Sequence, residues 1–194
     1  VRFTVDPCPL EQLGSAWGHS WPVRGRVAAR GGITGTPRSP MGEVSFDFNE
    51  LRSNRDLPTA IEPARVTVKA VMAAGRASVE ASAVQNPLQP LTLTAAMPVD
   101  LVAWSQNPQA LMDTPVTGRF HLPPSSLAFL PDYVRALQSI KGTVAVDGTI
   151  RGTMRRPAWE AEVAVDAPAV VLAGAALPSV RDLSLRIRSD EKRI

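Results

Sequence analysis

The chain repeats part of its own sequence, and this repeat limits what the chain can fold into. Val23–Glu43 (VRGRVAARGGITGTPRSPMGE) aligns without a gap with Ile140–Glu160 (IKGTVAVDGTIRGTMRRPAWE), at an offset of 117 residues. Ten of the 21 aligned positions are identical, namely Gly25/Gly142, Val27/Val144, Ala28/Ala145, Gly31/Gly148, Ile33/Ile150, Gly35/Gly152, Thr36/Thr153, Arg38/Arg155, Pro40/Pro157 and Glu43/Glu160. Chains built from copies of one unit generally act through the extended surface that the copies form together. The repeat therefore indicates a functional surface rather than a single pocket.

The composition excludes several functional classes. The net charge of +3 comes from scattered basic residues, and aromatic residues make up only 5% of the chain. Because proteins that bind single strands use aromatic stacking, we do not expect a nucleic-acid partner. The lone Cys8 rules out an internal disulfide and offers no metal pattern. Without a nucleophile elbow, a phosphate loop or a metal-binding helix motif, we expect no enzymatic activity, no cofactor and no metal.

The repeat also predicts the domain organisation. We expect a first β repeat unit over residues 1–97, a connecting segment with a strand and a short helix over 98–139, and an incomplete second unit over 140–194. No apolar run approaches the roughly 20 residues that a membrane-spanning helix needs. The chain starts at Val1 without an initiator methionine, and we expect it to be an internal fragment of a longer protein whose membrane anchor lies elsewhere.

Most of the chain alternates between apolar and polar residues, which is typical of β-strands with one dry face. We therefore predict an all-β, mainly antiparallel fold, in which an elongated curved sheet of repeated strand units carries one or two short helices. The candidate residues of the dry face are Phe46, Phe48, Val66, Val68, Val79, Leu91, Leu93, Val144, Val146, Ile150, Ala161, Val163, Val165, Leu183, Leu185 and Ile187.

Glycines predict the turns of the repeat. Asp147-Gly148 lies between alternating residues, as in a tight hairpin, and Arg30-Gly31-Gly32 is its counterpart in the first copy. Gly35-Thr36 and Gly152-Thr153 end a strand shortly before a proline, which suits the entry of the next strand. The predicted unit is strand, glycine turn, strand, Thr-x-x-x-Pro loop and strand, with antiparallel neighbours.

Three stretches break the alternation and are candidates for short helices. Ser125–Ser139 is the best of them, because a serine can cap it and its leucines and valine fall at near-helical spacing, although Pro131 kinks or divides it. Pro9–Trp17 is a second candidate. Val99–Leu111 is a poor one, because Pro108 interrupts it, although Asp100 is expected to act as a cap.

These motifs resemble those of a known family. Gly142–Val165, and more loosely Gly25–Phe48, resemble the recurrent phrase of the TamB family, which is a Gly-x-apolar strand, apolar-x-Gly-Thr, a proline and another alternating strand. Leu177–Ile187 resembles the family's later phrase, Leu-Pro-x-apolar followed by Leu-x-Leu-x-Ile. TamB is the inner-membrane subunit of the translocation and assembly module, within the AsmA-like superfamily of bacterial envelope proteins.

The resemblance implies a long twisted sheet folded over like a taco, with an apolar groove. It further implies a location in the periplasm or cell envelope, with the full-length protein anchored in the inner membrane. Its implied partners are the acyl chains of phospholipids, which the groove would conduct between the two membranes. A second implied partner is an outer-membrane barrel protein, reached through regions absent here, in support of outer-membrane protein assembly.

The residues alone do not decide what covers the dry face. The two alternatives are a second sheet, as in a sandwich, and an apolar ligand held by a furled sheet. Small residues recur on that face, and they favour a groove over a close-packed core; they are Ala77, Ala81, Ala83, Ala95, Ala161 and Ala173. Three functions follow: a lipid-conducting segment, a scaffold or chaperone that binds outer-membrane strands by β-augmentation, and a plain β-sandwich binding module.

Overall fold

Ten β-strands account for most of the chain. The computed structural model describes residues 1–12, 23–37, 39–53, 62–132, 134, 136–172 and 180–190. The strands are β1 (Arg2–Pro9), β2 (Val23–Thr36), β3 (Ser39–Ser53), β4 (Ala64–Ala73), β5 (Arg76–Val84), β6 (Leu91–Pro98), β7 (Thr117–Ser126), β8 (Leu137–Gly152), β9 (Pro157–Leu172) and β10 (Val180–Asp190). The connections carry two short helices, α1 (Leu101–Gln106) and α2 (Gln109–Met112), and a 3-10 turn at Leu130–Asp132.

All ten strands belong to one sheet, in which spatial order follows sequence order from β1 to β10. Every neighbouring pair is antiparallel. Such a meander needs only short connections between strands that are adjacent in sequence. The sheet is open and curved, with β1 and β10 at its edges. The predicted all-β, mainly antiparallel curved sheet with few short helices is confirmed.

The strand ends predicted at Gly35-Thr36 and Gly152-Thr153 are confirmed, since β2 ends at Thr36 and β8 at Gly152. The two predicted glycine hairpins are wrong. β2 runs through Arg30–Gly32 and β8 runs through Asp147-Gly148, so each predicted hairpin is one strand, of 14 residues in β2 and 16 in β8. Gly148 lies opposite Phe120 of β7, and a Cβ atom added to it would lie 2.0 Å from Phe120 Cζ. Gly31 lies opposite Phe3 of β1, and a Cβ atom added to it would lie 3.0 Å from the Phe3 ring and slightly closer to β3. These glycines accommodate a phenyl ring of the preceding strand and do not turn the chain.

The repeat is also visible in the backbone. Register shifts between β1, β2 and β3 recur between β7, β8 and β9 at the offset of 117 residues. Such β-bulges, in which two residues face one on the neighbouring strand, bend the bulged strand. The shifts of register fall between Val5 and Cys8 in β1, Leu122 and Ser125 in β7, Arg24 and Arg26 in β2, and Lys141 and Thr143 in β8. The two copies therefore curve at equivalent points.

The structural repeat begins earlier than residue 140. β7 is the equivalent of β1, yet it lies within the segment 98–139 that was predicted to be a connection. One unit consists of six strands, β1 to β6, and β7 to β10 repeat the first four. β4 starts at Ala64, and its equivalent β10 starts at Val180, within one residue of the offset of 117.

The helix predictions have mixed outcomes. Ser125–Ser139 does not form the predicted helix. Its start belongs to β7, its end to β8, and its described middle forms only the 3-10 turn Leu130–Asp132, which contains Pro131. Pro108 divides Val99–Leu111 into the two short helices, and Asp100 caps the first by accepting a 2.8 Å hydrogen bond from the amide of Ala103. Residues 10–12 are helical, and the rest of Pro9–Trp17 lies outside the described residues.

We expect Gly148→Ala to lower the free energy of unfolding by about 1–3 kcal/mol, because the added methyl group displaces the ring of Phe120. Gly32→Ala is the matched control, since its added Cβ would meet nothing closer than 3.5 Å, and we expect a change within about 0.5 kcal/mol. Urea denaturation measures both. A smaller cost of Gly148→Ala in a Phe120→Ala background would locate the clash at the ring; an equal cost in both backgrounds would contradict it.

Candidate functional site

The strand register brings the apolar residues of all strands to one side of the sheet. Residues directly opposite each other in an antiparallel pair project from the same face. One continuous row of partners across the strands is Val5, Ala29, Phe46, Val68, Ala81, Leu93, Phe120, Gly148 and Ala161. The adjacent row is Phe3, Gly31, Val44, Ala70, Val79, Ala95, Gly118, Ile150 and Trp159. We call the side that carries these rows the apolar face.

All sixteen predicted residues of the dry face lie at positions of this apolar face. Phe46 and Phe48 stack on it, with ring centroids 6.3 Å apart. The pairs that place the others are Phe48/Val66, Val79/Ala95, Ala83/Leu91, Ala81/Leu93, Val146/Val163, Val144/Val165, Ile150/Trp159, Gly148/Ala161, Leu183/Ala167, Leu185/Val165 and Ile187/Val163. The face thus crosses the whole sheet at right angles to the strands, and the two rows traced above contain no charged residue.

The opposite side, which we call the polar face, is held by pairs between neighbouring strands. Lys69 Nζ of β4 lies 3.1 Å from Glu43 Oε1 of β3. His121 Nδ1 of β7 shares a 2.7 Å hydrogen bond with Asp147 Oδ1 of β8. These groups stay largely solvated, so each pair adds little stability. These pairs are consistent with the strand register. Because residues alternate between the two sides of a strand, this register directs the neighbouring residues to the apolar face.

The apolar face is partly open. Ala29 is buried and most residues of the two rows are partly buried, but other positions of the face are well exposed. Leu91, Trp159 and Leu185 keep 38%, 44% and 47% of their surface exposed. No second sheet covers the face within the described residues, because all ten strands belong to one sheet. The plain β-sandwich considered from the sequence is therefore wrong for the described part of the chain. An apolar surface of this extent is unusual on a monomer in water and marks an interaction surface.

One rim of the apolar face is closed by protein. The segment that follows β7 places Leu127 against β8 and β9, where it forms a buried cluster with Ile140, Ala167 and Val170. Val144 and Val165 pack against this cluster, so these two predicted residues are partly covered by the chain itself. Leu10, 117 residues before Leu127, is also buried.

The helices close the other end of the strands. The β6–β7 connection, which contains α1 and α2, contacts the turn between β8 and β9 through Arg155, whose Nε donates to Asp113 Oδ1 at 3.0 Å and whose Nη2 donates to Gln109 Oε1 at 2.8 Å. Trp104 Nε1 donates to Thr114 Oγ1 at 3.3 Å within the same connection. The connections thus lie at the ends of the strands and leave the middle of the apolar face free.

Several residues of the apolar face were missed in the sequence. Phe3 of the edge strand β1 and Phe120 of β7 lie in the two rows traced above, opposite Gly31 and Gly148. A pattern that could have found them is present, because RFTVDPCPL and RFHLPPSSL align at the same offset of 117 residues. The identical pairs are Arg2/Arg119, Phe3/Phe120, Pro7/Pro124 and Leu10/Leu127.

The chemistry available on this face is apolar contact. Its side chains can bury hydrocarbon, and they offer few polar groups that would fix one ligand in one position. Among the helices that the structure describes, none has the length and apolar character needed to cross a membrane. In the same described residues, His, Cys, Asp and Glu side chains form no group of three suited to a metal ion.

Comparisons with protein-family models, with curated proteins and with solved structures find no match for this chain.

We expect side-chain truncation to separate the closed rim from the open face. Leu127→Ala should lower the free energy of unfolding by about 2–4 kcal/mol, because it leaves a cavity among buried residues. Leu185→Ala removes the same atoms from a side chain that is 47% exposed, and should cost less than about 1 kcal/mol. Denaturant titration of both variants measures the difference. Similar large losses would show that the face near Leu185 is sealed in solution.

Proposed function

We propose that this chain is a non-enzymatic segment of a TamB-like protein of the bacterial periplasm, and that its apolar face conducts phospholipid between the inner and outer membranes. The observation that carries the proposal is the continuous apolar face, which crosses all ten strands and which no second layer of the described residues covers. The resemblance of Gly142–Val165 to the TamB phrase supports the same function. In this proposal the anchor in the inner membrane and the contact with an outer-membrane barrel protein belong to other parts of the protein.

The energetics of acyl chains explain why such a face is useful. Each methylene group moved from water to an apolar surface gains about 0.8 kcal/mol, so exposure of a chain of roughly sixteen carbons costs on the order of 12 kcal/mol. A continuous apolar surface removes most of this barrier. Because its two central rows lack charged groups, the lipid would meet no strong local site and could move along the face.

Strand length suits this role. β8 and β9 have 16 residues each, which corresponds to about 50 Å of extended chain. Strands of this length exceed the ~15 Å of one leaflet's hydrocarbon, and can curve around an acyl chain at the bulges near Ser125 and Gly142.

The sheet edges favour a second candidate function. Within the described residues β1 and β10 each pair with one strand only, and an unpaired edge can accept a further strand. In this alternative the sheet acts as a scaffold or chaperone that binds unfolded outer-membrane strands, and the apolar face receives their apolar side chains.

Photo-crosslinking distinguishes the two. A photoreactive residue at Val163, on the apolar face, should capture phospholipid when the full chain is illuminated with phospholipid vesicles or in the cell envelope. The matched control is Ala164, the next residue of β9, which lies on the polar face opposite Ala145 and should capture several-fold less. Lipid-extracted mass spectra identify the adduct. Capture of polypeptide alone at Val163 would contradict conduction and support the second candidate.

A charge placed on the apolar face should interrupt the lipid path. We expect Val163→Arg to abolish most of the transfer of labelled phospholipid between donor and acceptor vesicles, because lipid would have to pass a hydrated cation. The free energy of unfolding should change by less than about 1 kcal/mol, since the guanidinium stays in water above an open face. Ala164→Arg, with the same charge on the polar face, should leave transfer unchanged. Unfolding of the Val163→Arg variant alone would instead indicate a packed core.

A further inference from the structure

A hollow lies on the polar face, away from the surface proposed to hold lipid. It has a volume of about 500 Å³ and spans strands β5 to β8. Nine of its thirteen lining residues occupy polar-face positions of these strands. The hollow is open to solvent, so a ligand could enter it without any movement of the sheet.

The hollow exists because short side chains are clustered there. Thr94 of β6 and Thr149 of β8 flank Arg119 of β7 in one row, and Ala96 lies opposite Thr117 in the next. Threonine and alanine leave space above the backbone, whereas the long arginine side chains stand around that space. The hydroxyl groups provide hydrogen-bond donors within it.

The hollow has an excess of positive charge. Arg76, Arg119 and Arg151 line it together with a single carboxylate, Glu80. Glu80 is one carboxylate against three guanidinium groups, so the lining keeps a net positive charge. None of the three guanidinium groups forms an ion pair or hydrogen bond with another residue of the described chain. Their charges therefore repel each other unless an anion is present.

The spacing of the arginines suits one compact anion. Arg119 and Arg151 lie on adjacent strands and one row apart, which places their Cα atoms about 8 Å from each other. Side chains of this length can meet between Thr117 and Thr149, which occupy the other two positions of the two rows on these strands. Planar guanidinium groups bind the oxygens of phosphate in pairs, and they do so more specifically than ammonium groups.

We propose that this hollow binds a phosphate group through Arg119 and Arg151, with Arg76 at its margin and the threonine hydroxyls as further donors. The phosphate is carried either by a soluble molecule or by a phospholipid headgroup. The two central rows of the apolar face contain no charged residue, so the proposal gives the polar face a ligand chemistry that the apolar face lacks.

The test is a titration of the full chain with inorganic phosphate at low ionic strength, followed by amide chemical shifts in NMR spectra. We expect saturable shifts at Thr94, Thr117 and Thr149, and at least about fivefold weaker binding for Arg119→Gln. Arg65→Gln is the matched control, because Arg65 is an exposed arginine of β4 outside the hollow; it should change binding by less than about twofold.

A second variant tests shape without a change of charge. Ala96→Leu fills the hollow and should weaken phosphate binding at least as much as Arg119→Gln, while its far-UV circular dichroism remains that of the parent chain. This variant keeps the proposal testable if loss of an arginine alters folding. Unchanged binding in Ala96→Leu would overturn the proposal, because it would place the anion outside the hollow.

Vesicles distinguish the two sources of the phosphate. If the ligand is a headgroup, the chain should float with phosphatidylglycerol vesicles, Arg119→Gln should lose this flotation, and Arg65→Gln should keep it. If the ligand is soluble, saturable shifts with inorganic phosphate should occur and flotation should be equal in both variants. If Arg119→Gln and Arg65→Gln weakened phosphate binding equally and reduced flotation equally, the proposal would be overturned, because the binding would then depend on general surface charge only.

Discussion

Antiparallel pairing in register between sequence neighbours is the constraint on which the whole structure depends. Each strand has an apolar and a polar side, and a shift of one residue would exchange the two. In the structure every pair is aligned so that Phe48, Val66 and Leu91, each from a different strand, reach the same side. The polar pairs of the other side, such as His121 with Asp147, are consistent with the same alignment. The bulges of β1 and β2 recur at equivalent positions in β7 and β8, so the two copies keep the same arrangement of faces.

This arrangement leaves a large apolar surface that water alone covers poorly. A soluble domain usually hides such a face beneath a second sheet or a layer of helices. Here the described chain closes only the rims, with Leu127 at one end of the strands and the helical connection at the other. A protein that retains an open apolar face at this cost in free energy needs an apolar ligand or partner there. Phospholipid acyl chains are the ligand that we propose for this face, because their weak, uniform contacts would permit movement along the sheet.

The two faces of one sheet thus support two kinds of recognition. The apolar face offers area and continuity, which suit hydrocarbon. The polar face offers a hollow with unneutralised arginines, which suits a compact anion. Since alternate residues of the same strands supply both, Ile150 and Thr149 serve opposite surfaces although they are adjacent in the chain. A single alternating pattern can therefore encode two sites without any separate domain.

The sequence by itself determined the all-β antiparallel fold and the alternation of the strands, and it predicted the sixteen residues that the strand register places on one side, because period-two patterns are local. The offset of 117 residues was also visible in the sequence. Only the tertiary structure decided that Gly31 and Gly148 lie within long strands, because their role is to receive Phe3 and Phe120 from a neighbouring strand. It also decided that the leucines of Ser125–Ser139 serve a rim cluster instead of a helix, and that three arginines from different strands surround one hollow. Contacts of this kind join residues far apart in the chain, and no local pattern specifies them.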